Sequence, residues 1–169
     1  MTASRSPKQA FLETYDKEHQ TTMKVLRAYP TDKLELRPHA MCKTARELAF
    51  VFAAERGLGT VAMHDGIAKG EFTGEMPKAP EKWDDLLAAV EKAHHDFGDL
   101  VRKTSDAELE QPVKFFSGPK QLGDWPRLHL LWHLLHDEIH HRGQFSIYLR
   151  MAGGKVPSIY GPTADEPWM

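Results

Sequence analysis

The sequence holds a single cysteine, Cys42, so no disulfide can form within the chain, and a reducing compartment suits it. No apolar run approaches the roughly 20 residues that a membrane-spanning helix needs. Met1 to Gln9 is polar and lacks the apolar centre of a secretion signal. An excess of charge is missing too. The net charge is −2 with histidine neutral, which leaves no strong field to draw nucleic acid or an anionic lipid surface. There is no glycine-rich phosphate loop, no nucleophile elbow and no basic stripe interleaved with aromatics. Internal repeats and low-complexity segments are absent as well. These absences set the expectation of a cytoplasmic protein with neither a nucleic-acid nor a membrane partner.

What is present is an ordinary globular composition, 41% hydrophobic and 27% charged, with four tryptophans and eight phenylalanines to fill a core. At 169 residues the expectation is one domain over 1–169. Helical spacing of apolar residues predicts four long helices. The first runs from about Pro7 to Tyr29, with Ser6 as N-cap and Pro30 as its stop. The second opens at Thr44, where Thr44-Ala45-Arg46-Glu47 has the form of a capping box, and continues to about Ala68, although Gly57 and Gly59 weaken its middle. The third spans about Glu81 to Lys103. Ser105-Asp106-Ala107-Glu108 caps one short turn. Gln111 to Leu122, with Pro112, Gly118 and Pro119, reads as a crossing loop. The fourth helix runs from near Asp124 to Ala152, where Gly153-Gly154 stops it. The tail from about Lys155 carries three prolines and is expected to pack on the bundle through Ile159, Tyr160 and Trp168. The fold class that follows is all-α, a four-helix bundle.

Five of the ten histidines lie in the last helix, at positions 129, 133, 136, 140 and 141. Advancing about 100° per residue puts Leu130, Leu131, Leu134, Leu135, Phe145, Tyr148 and Leu149 on a broad apolar face. His129, His133, His136 and His140 form a stripe toward the opposite side, which reads as a solvated polar face. Asp137 and His141 fall at one edge of the apolar face, with Gln144 following. Glu138 and Arg142 project near its centre, one turn apart, and read as an ion pair with each other that fixes helix packing. Two pairs at i, i+4 spacing can chelate a metal: His136 with His140, or Asp137 with His141. The first has the softer ligands. The second has the better position, facing a neighbouring helix that can complete a site. Asp137 and His141 also read as a hydrogen-bonded pair without a metal.

Other polar clusters are read more plainly. His94 and His95 on the third helix are neighbours pointing to different sides, expected at the surface or half-buried. His64-Asp65 reads as a polar pair at a helix end. Cys42, close to a helix start, reads as a small buried residue.

The run His140-His141-Arg142-Gly143-Gln144, followed by Tyr148-Leu149-Arg150, Gly153, Gly154, Val156 and Pro157, resembles the last helix of the DinB/YfiT-like superfamily, and the resemblance covers most of the chain. It implies a bundle with a metal site between helices, and often a homodimer. Some members are thiol-dependent S-transferases or isomerases that use bacillithiol, mycothiol or glutathione. The family pattern places one histidine on the second helix and a His-x-x-x-His pair on the last, just before Arg-Gly-Gln. Here the last of these is His141. Four residues earlier stands Asp137, and the second-helix position holds Val51. Glu55, one turn beyond Val51, is placed to reach the site instead. A Glu55–Asp137–His141 set is oxygen-rich and suits Zn, Ni, Mn or Fe with little selectivity.

Two functions follow as expectations. One is a metal-dependent enzyme, a thiol S-transferase or a hydrolase, acting on a small-molecule thiol or an electrophilic substrate. The other is a non-catalytic, metal-free bundle, a dimeric stress-associated or ligand-binding protein, which Val51 and Asp137 at the expected histidine positions favour.

Overall fold

A computed structural model describes residues 5–72, 74 and 77–169. The first four residues of the polar N-terminal stretch, with Thr73, Glu75 and Met76, lie outside the described residues. Four long helices form the bundle: α1 (Pro7–Arg27), α2 (Ala45–Met63), α3 (Trp83–Lys103) and α5 (Arg127–Met151). Between α3 and α5 come a single turn, α4 (Asp106–Leu109), and a hairpin of β1 (Pro112–Gly118) and β2 (Gln121–Pro126). α2 packs on both α3 and α5, and α1 packs on the same two helices from the other side.

The helix starts are where the capping signals put them. Ser6, Thr44 and Ser105 each accept from the backbone N–H three residues on, and Gln9, Glu47 and Glu108 each reach back to the cap backbone. Such caps contribute about 1 kcal/mol each. Gly59 does not interrupt α2. A Cβ there would sit 2.9 Å from Leu134 Cδ1 and 3.0 Å from the Phe97 ring, so the glycine lets α3 and α5 close onto α2.

Three sequence expectations need correction. Gln111 to Leu122 is not a crossing loop: Val113 and Phe115 alternate inward from an antiparallel hairpin and pack on Ala62, Ile67 and Leu130. Asp124 belongs to that hairpin, opposite Lys114 with an ion pair of 2.8 Å, so α5 starts three residues later. α2 ends at Met63 rather than Ala68, because Asp65 takes a left-handed conformation (φ 57°) and its carboxylate accepts the Lys114 N–H.

The larger correction concerns Glu138 and Arg142. Both are buried, as their position on α5 predicts, but they do not pair with each other. Glu138 accepts from Arg56 of α2 at 2.8 Å, and Arg142 pairs with Glu18 of α1 at 2.6 Å. Thr22 joins the two pairs: its hydroxyl donates to Glu138 at 2.7 Å and accepts from Arg142 at 3.3 Å. The tail closes the far end. Tyr160 donates to Glu18 at 2.6 Å and its ring lies under the Arg142 guanidinium. Val156 and Ile159 pack against the core, and Asp165 and Glu166 hold the tail to Arg150 and Lys24.

At the other end of this ladder Arg56 donates to the Tyr15 hydroxyl at 3.0 Å and lies 3.4 Å from His19 Nδ1. His94 is buried at 4% exposure, not at the surface, and stacks on His19 with ring centroids 3.7 Å apart. His95 alone of that pair is exposed. His19 Nε2 bonds Glu91 and His94 Nε2 bonds Asp16, while His94 Nδ1 has no partner. Burial lowers the pKa of both rings, and the facing imidazole and Arg56 reinforce the effect on His94, which falls to about 2.

Arg142→Met strands the buried Glu18 carboxylate and is expected to cost about 3–5 kcal/mol in urea denaturation. Adding Glu18→Gln should recover part of that loss, and no recovery would show that the packing of Arg142, not its charge, is what matters. For the stacked rings, the unfolded chain binds more protons than the folded one once pH drops below about 6.5. The contribution of the neutral rings is complete above that pH and is lost as the pH falls below it; for His94 the loss runs on toward about 2, by up to roughly 1.4 kcal/mol per unit. His94→Phe, which keeps a stackable ring, should lose less stability between pH 7.5 and 4.5 than the wild type; equal losses would contradict the assignment.

Candidate metal centre

Helical geometry brings three separate carboxylate and imidazole groups to one spot. Glu55 lies in the middle of α2, and Asp137 and His141 are successive-turn neighbours on α5. His141 Nε2 is 3.0 Å from Glu55 Oε1 and 3.7 Å from Asp137 Oδ1. One donor atom from each lies within 4.8 Å of the others, the only such group of three among the described residues. The side chains of Glu55 and His141 are largely covered, at 15% and 20% exposure, while Asp137 is open at 42%. The site is therefore entered past Asp137.

The electrostatics fit a cation. Burial pushes the Glu55 carboxyl up to about 7, against the pull of the His141 hydrogen bond. The same Glu55 contact is the main cause that raises His141, to about 9, with Gln144 adding to it. At neutral pH an imidazolium thus faces two acids and fills the place of a positive charge. Glu55 Oε2 is buried and has no hydrogen-bond partner. An orphaned carboxylate oxygen beside a second carboxylate and an imidazole is a donor set that a divalent ion satisfies. The cavity behind it, lined by Glu55, Arg56, Tyr15, Phe97 and Glu138, has a volume of about 20 Å³. That is room for one water molecule and no more, so a substrate has to approach from the solvent side.

The sequence-predicted positions divide cleanly. Glu55, Asp137 and His141 converge. Val51 is half-buried against the apolar core one turn from Glu55 and offers no donor. His129, His133, His136 and His140 are all exposed, as the stripe predicts. His140 bonds Gln144 at 2.9 Å, and His136 leans on Trp132. His64 is exposed, and Cys42 is half-buried against the core. Sequence reasoning missed Glu18, His19 and Arg56. The signal was available, since each sits at core spacing on its helix: Glu18 and His19 follow Phe11 and Tyr15, and Arg56 follows Phe52 by one turn.

A regular relation connects the site to the buried ladder. Glu55 precedes Arg56, Asp137 precedes Glu138, and His141 precedes Arg142. In each pair the first residue faces the site and the second the ladder, about 100° further round the helix. The Arg56–Glu138 pair clamps α2 to α5 in the register that sets Glu55 against His141.

Comparison with known proteins agrees with this architecture. The profile of the DinB family matches residues 1–168. The chain belongs to the DinB family. It is 25% identical over 161 residues to the uncharacterized protein YrdA of Bacillus subtilis strain 168, covering 92% of this chain and 89% of that one. A DinB-like protein from Bacillus cereus ATCC 10987 superimposes with a TM-score of 0.74 at 22% identity, over 89% of this chain and 95% of the other. YfiT from Bacillus subtilis, described as a probable metal-dependent hydrolase with an unusual four-helix bundle topology, gives a TM-score of 0.65 at 12% identity, over 91% and 92%. These structures share the fold, and this DinB chain has the same four-helix bundle. None of its helices, among the described residues, is long and apolar enough to cross a membrane.

The ion-pair geometry makes a titration prediction. Glu55→Gln removes the charge that holds the His141 proton, so the His141 midpoint in a histidine NMR titration should drop from about 9 by more than a unit. A midpoint that stays near 9 would mean that Asp137 or Gln144, not Glu55, sets it.

Proposed function

We propose that this DinB protein is a metal-dependent enzyme in which Glu55, Asp137 and His141 hold a divalent cation. The observation that carries this reading is the convergence of one donor atom each from Glu55, Asp137 and His141, with the second oxygen of Glu55, Oε2, buried and unpartnered. A bound divalent ion supplies Lewis acidity and lowers the pKa of a water or thiol that it holds. In the free protein His141⁺ stands against the Glu55 and Asp137 carboxyl groups, so loading the site with a cation releases the His141 proton. Two oxygen donors and one nitrogen suit Zn, Ni, Mn or Fe. Hydrolysis of a small electrophilic substrate is the reaction we favour, since the fold is shared with YfiT, a probable metal-dependent hydrolase. Attack by a small-molecule thiol in an S-transfer is the close variant. We further propose that the protein is a homodimer, with Ile147 and Met151, exposed at 60% and 51% on α5, at the contact.

A second reading has one specific observation behind it. The Glu55–His141 ion pair already satisfies Glu55 Oε1 without a metal, and it does so where Val51 and Asp137 leave His141 as the one imidazole of the three that the family pattern holds. In that case the chain is a non-catalytic bundle.

Thermal melting separates the two. On the metal reading, Zn, Ni or Mn at about a hundred times its dissociation constant raises the melting temperature of the wild type by roughly 5–10 °C. EDTA reverses the rise, and His141→Ala and Asp137→Ala abolish it with helix content intact. No shift with any of the ions, together with less than about a tenth of an equivalent of metal after reconstitution, would leave the metal-free bundle standing.

A further inference from the structure

A ligand histidine has two ring nitrogens, and a metal can take one only if the proton resides on the other. In His141 the ring is held from both sides. Nε2 faces Glu55 and Asp137, while Nδ1 lies 3.0 Å from Gln144 Oε1. An amide oxygen accepts and cannot donate, so Nδ1 carries the proton and donates it to Gln144. The amide is fixed in this sense by its other end, where Gln144 Nε2 donates to His140 Nε2 at 2.9 Å. His140 is exposed and lies outside the candidate site.

We propose that Gln144 is the positioning residue of the centre: it holds a proton on His141 Nδ1 and aims the ring so that Nε2 faces the two carboxylates and is the nitrogen a bound cation takes, displacing its proton. This inference rests on the metal reading above. It accounts for a polar side chain on the exposed side of α5 whose oxygen and nitrogen are both engaged by imidazoles. It assigns His140 a role too. By accepting from the amide, His140 prevents the flip that would turn the Gln144 NH₂ toward His141.

The test uses the full-length protein, Zn²⁺ as the probe, and the variants Gln144→Leu and Gln144→Glu. Leucine removes the acceptor and keeps helix propensity; glutamate restores a stronger acceptor. Zinc affinity by competition with a chromophoric chelator is expected to fall roughly 10- to 100-fold in Gln144→Leu and to be kept or tightened in Gln144→Glu. Melting temperatures of the metal-free variants should stay within roughly 2 °C of the wild type, since the position is exposed. In ¹⁵N NMR of the zinc-loaded protein, the His141 Nδ1 proton should persist in the wild type and Gln144→Glu and exchange away in Gln144→Leu. Equal zinc affinity in wild type and Gln144→Leu would overturn the positioning role while leaving the metal reading intact. Failure of the wild type to take up zinc would overturn the metal reading, and this role with it.

Discussion

Four buried charges, Glu18, Arg142, Glu138 and Arg56, are joined through Thr22 into a ladder that ends on the hydroxyls of Tyr160 and Tyr15, and this ladder positions everything else in the molecule. Each charge in it has lost its water and is stable only against its partner on another helix. An apolar seam tolerates sliding and rotation, because one leucine contact replaces another at little cost. A buried ion pair does not, since a shift of one turn leaves two unpaired charges in the interior. The ladder therefore selects one rotation and one register for α1, α2 and α5, and the tail is fastened to it through Tyr160.

That selection reaches the candidate site through the chain itself. Glu55, Asp137 and His141 are each the immediate neighbour of a ladder residue, so the orientation of the ladder fixes theirs. The site needs this support. Two carboxylates held within 4.8 Å of each other and of an imidazole repel one another unless a proton or a cation lies between them. In the free protein the proton on His141 fills this role. The energy that keeps the acids together comes from the packed, paired interior behind them.

Much of this was legible along the chain. Capping boxes at Ser6, Thr44 and Ser105 mark real helix starts, because a cap is a local interaction complete within four residues. The outward stripe of His129, His133, His136 and His140 follows from helical periodicity alone. Glu55, Asp137 and His141 could be placed near one another from a family resemblance and from the one-turn spacing beyond Val51. The hairpin was hidden by Pro112, Gly118 and Pro119, which signal a loop, whereas the Val113/Phe115 alternation that identifies it is only two residues long. The core spacing of Arg56 and Glu18 marks them as buried, but a single charged residue on an apolar face carries no mark of its partner, so their pairing could not be read.

The four long helices, three of the N-caps and the all-α class can be read along the chain, since they rest on propensity and periodicity, which are local. Which buried charge pairs with which is set by the packing of the helices. Glu138 and Arg142, one turn apart and opposite in charge, satisfy every local criterion for an ion pair, yet each takes a partner on another helix. The physical reason is burial: side chains directed into the interior are oriented toward the facing helices, and the partner is whatever group the bundle brings there.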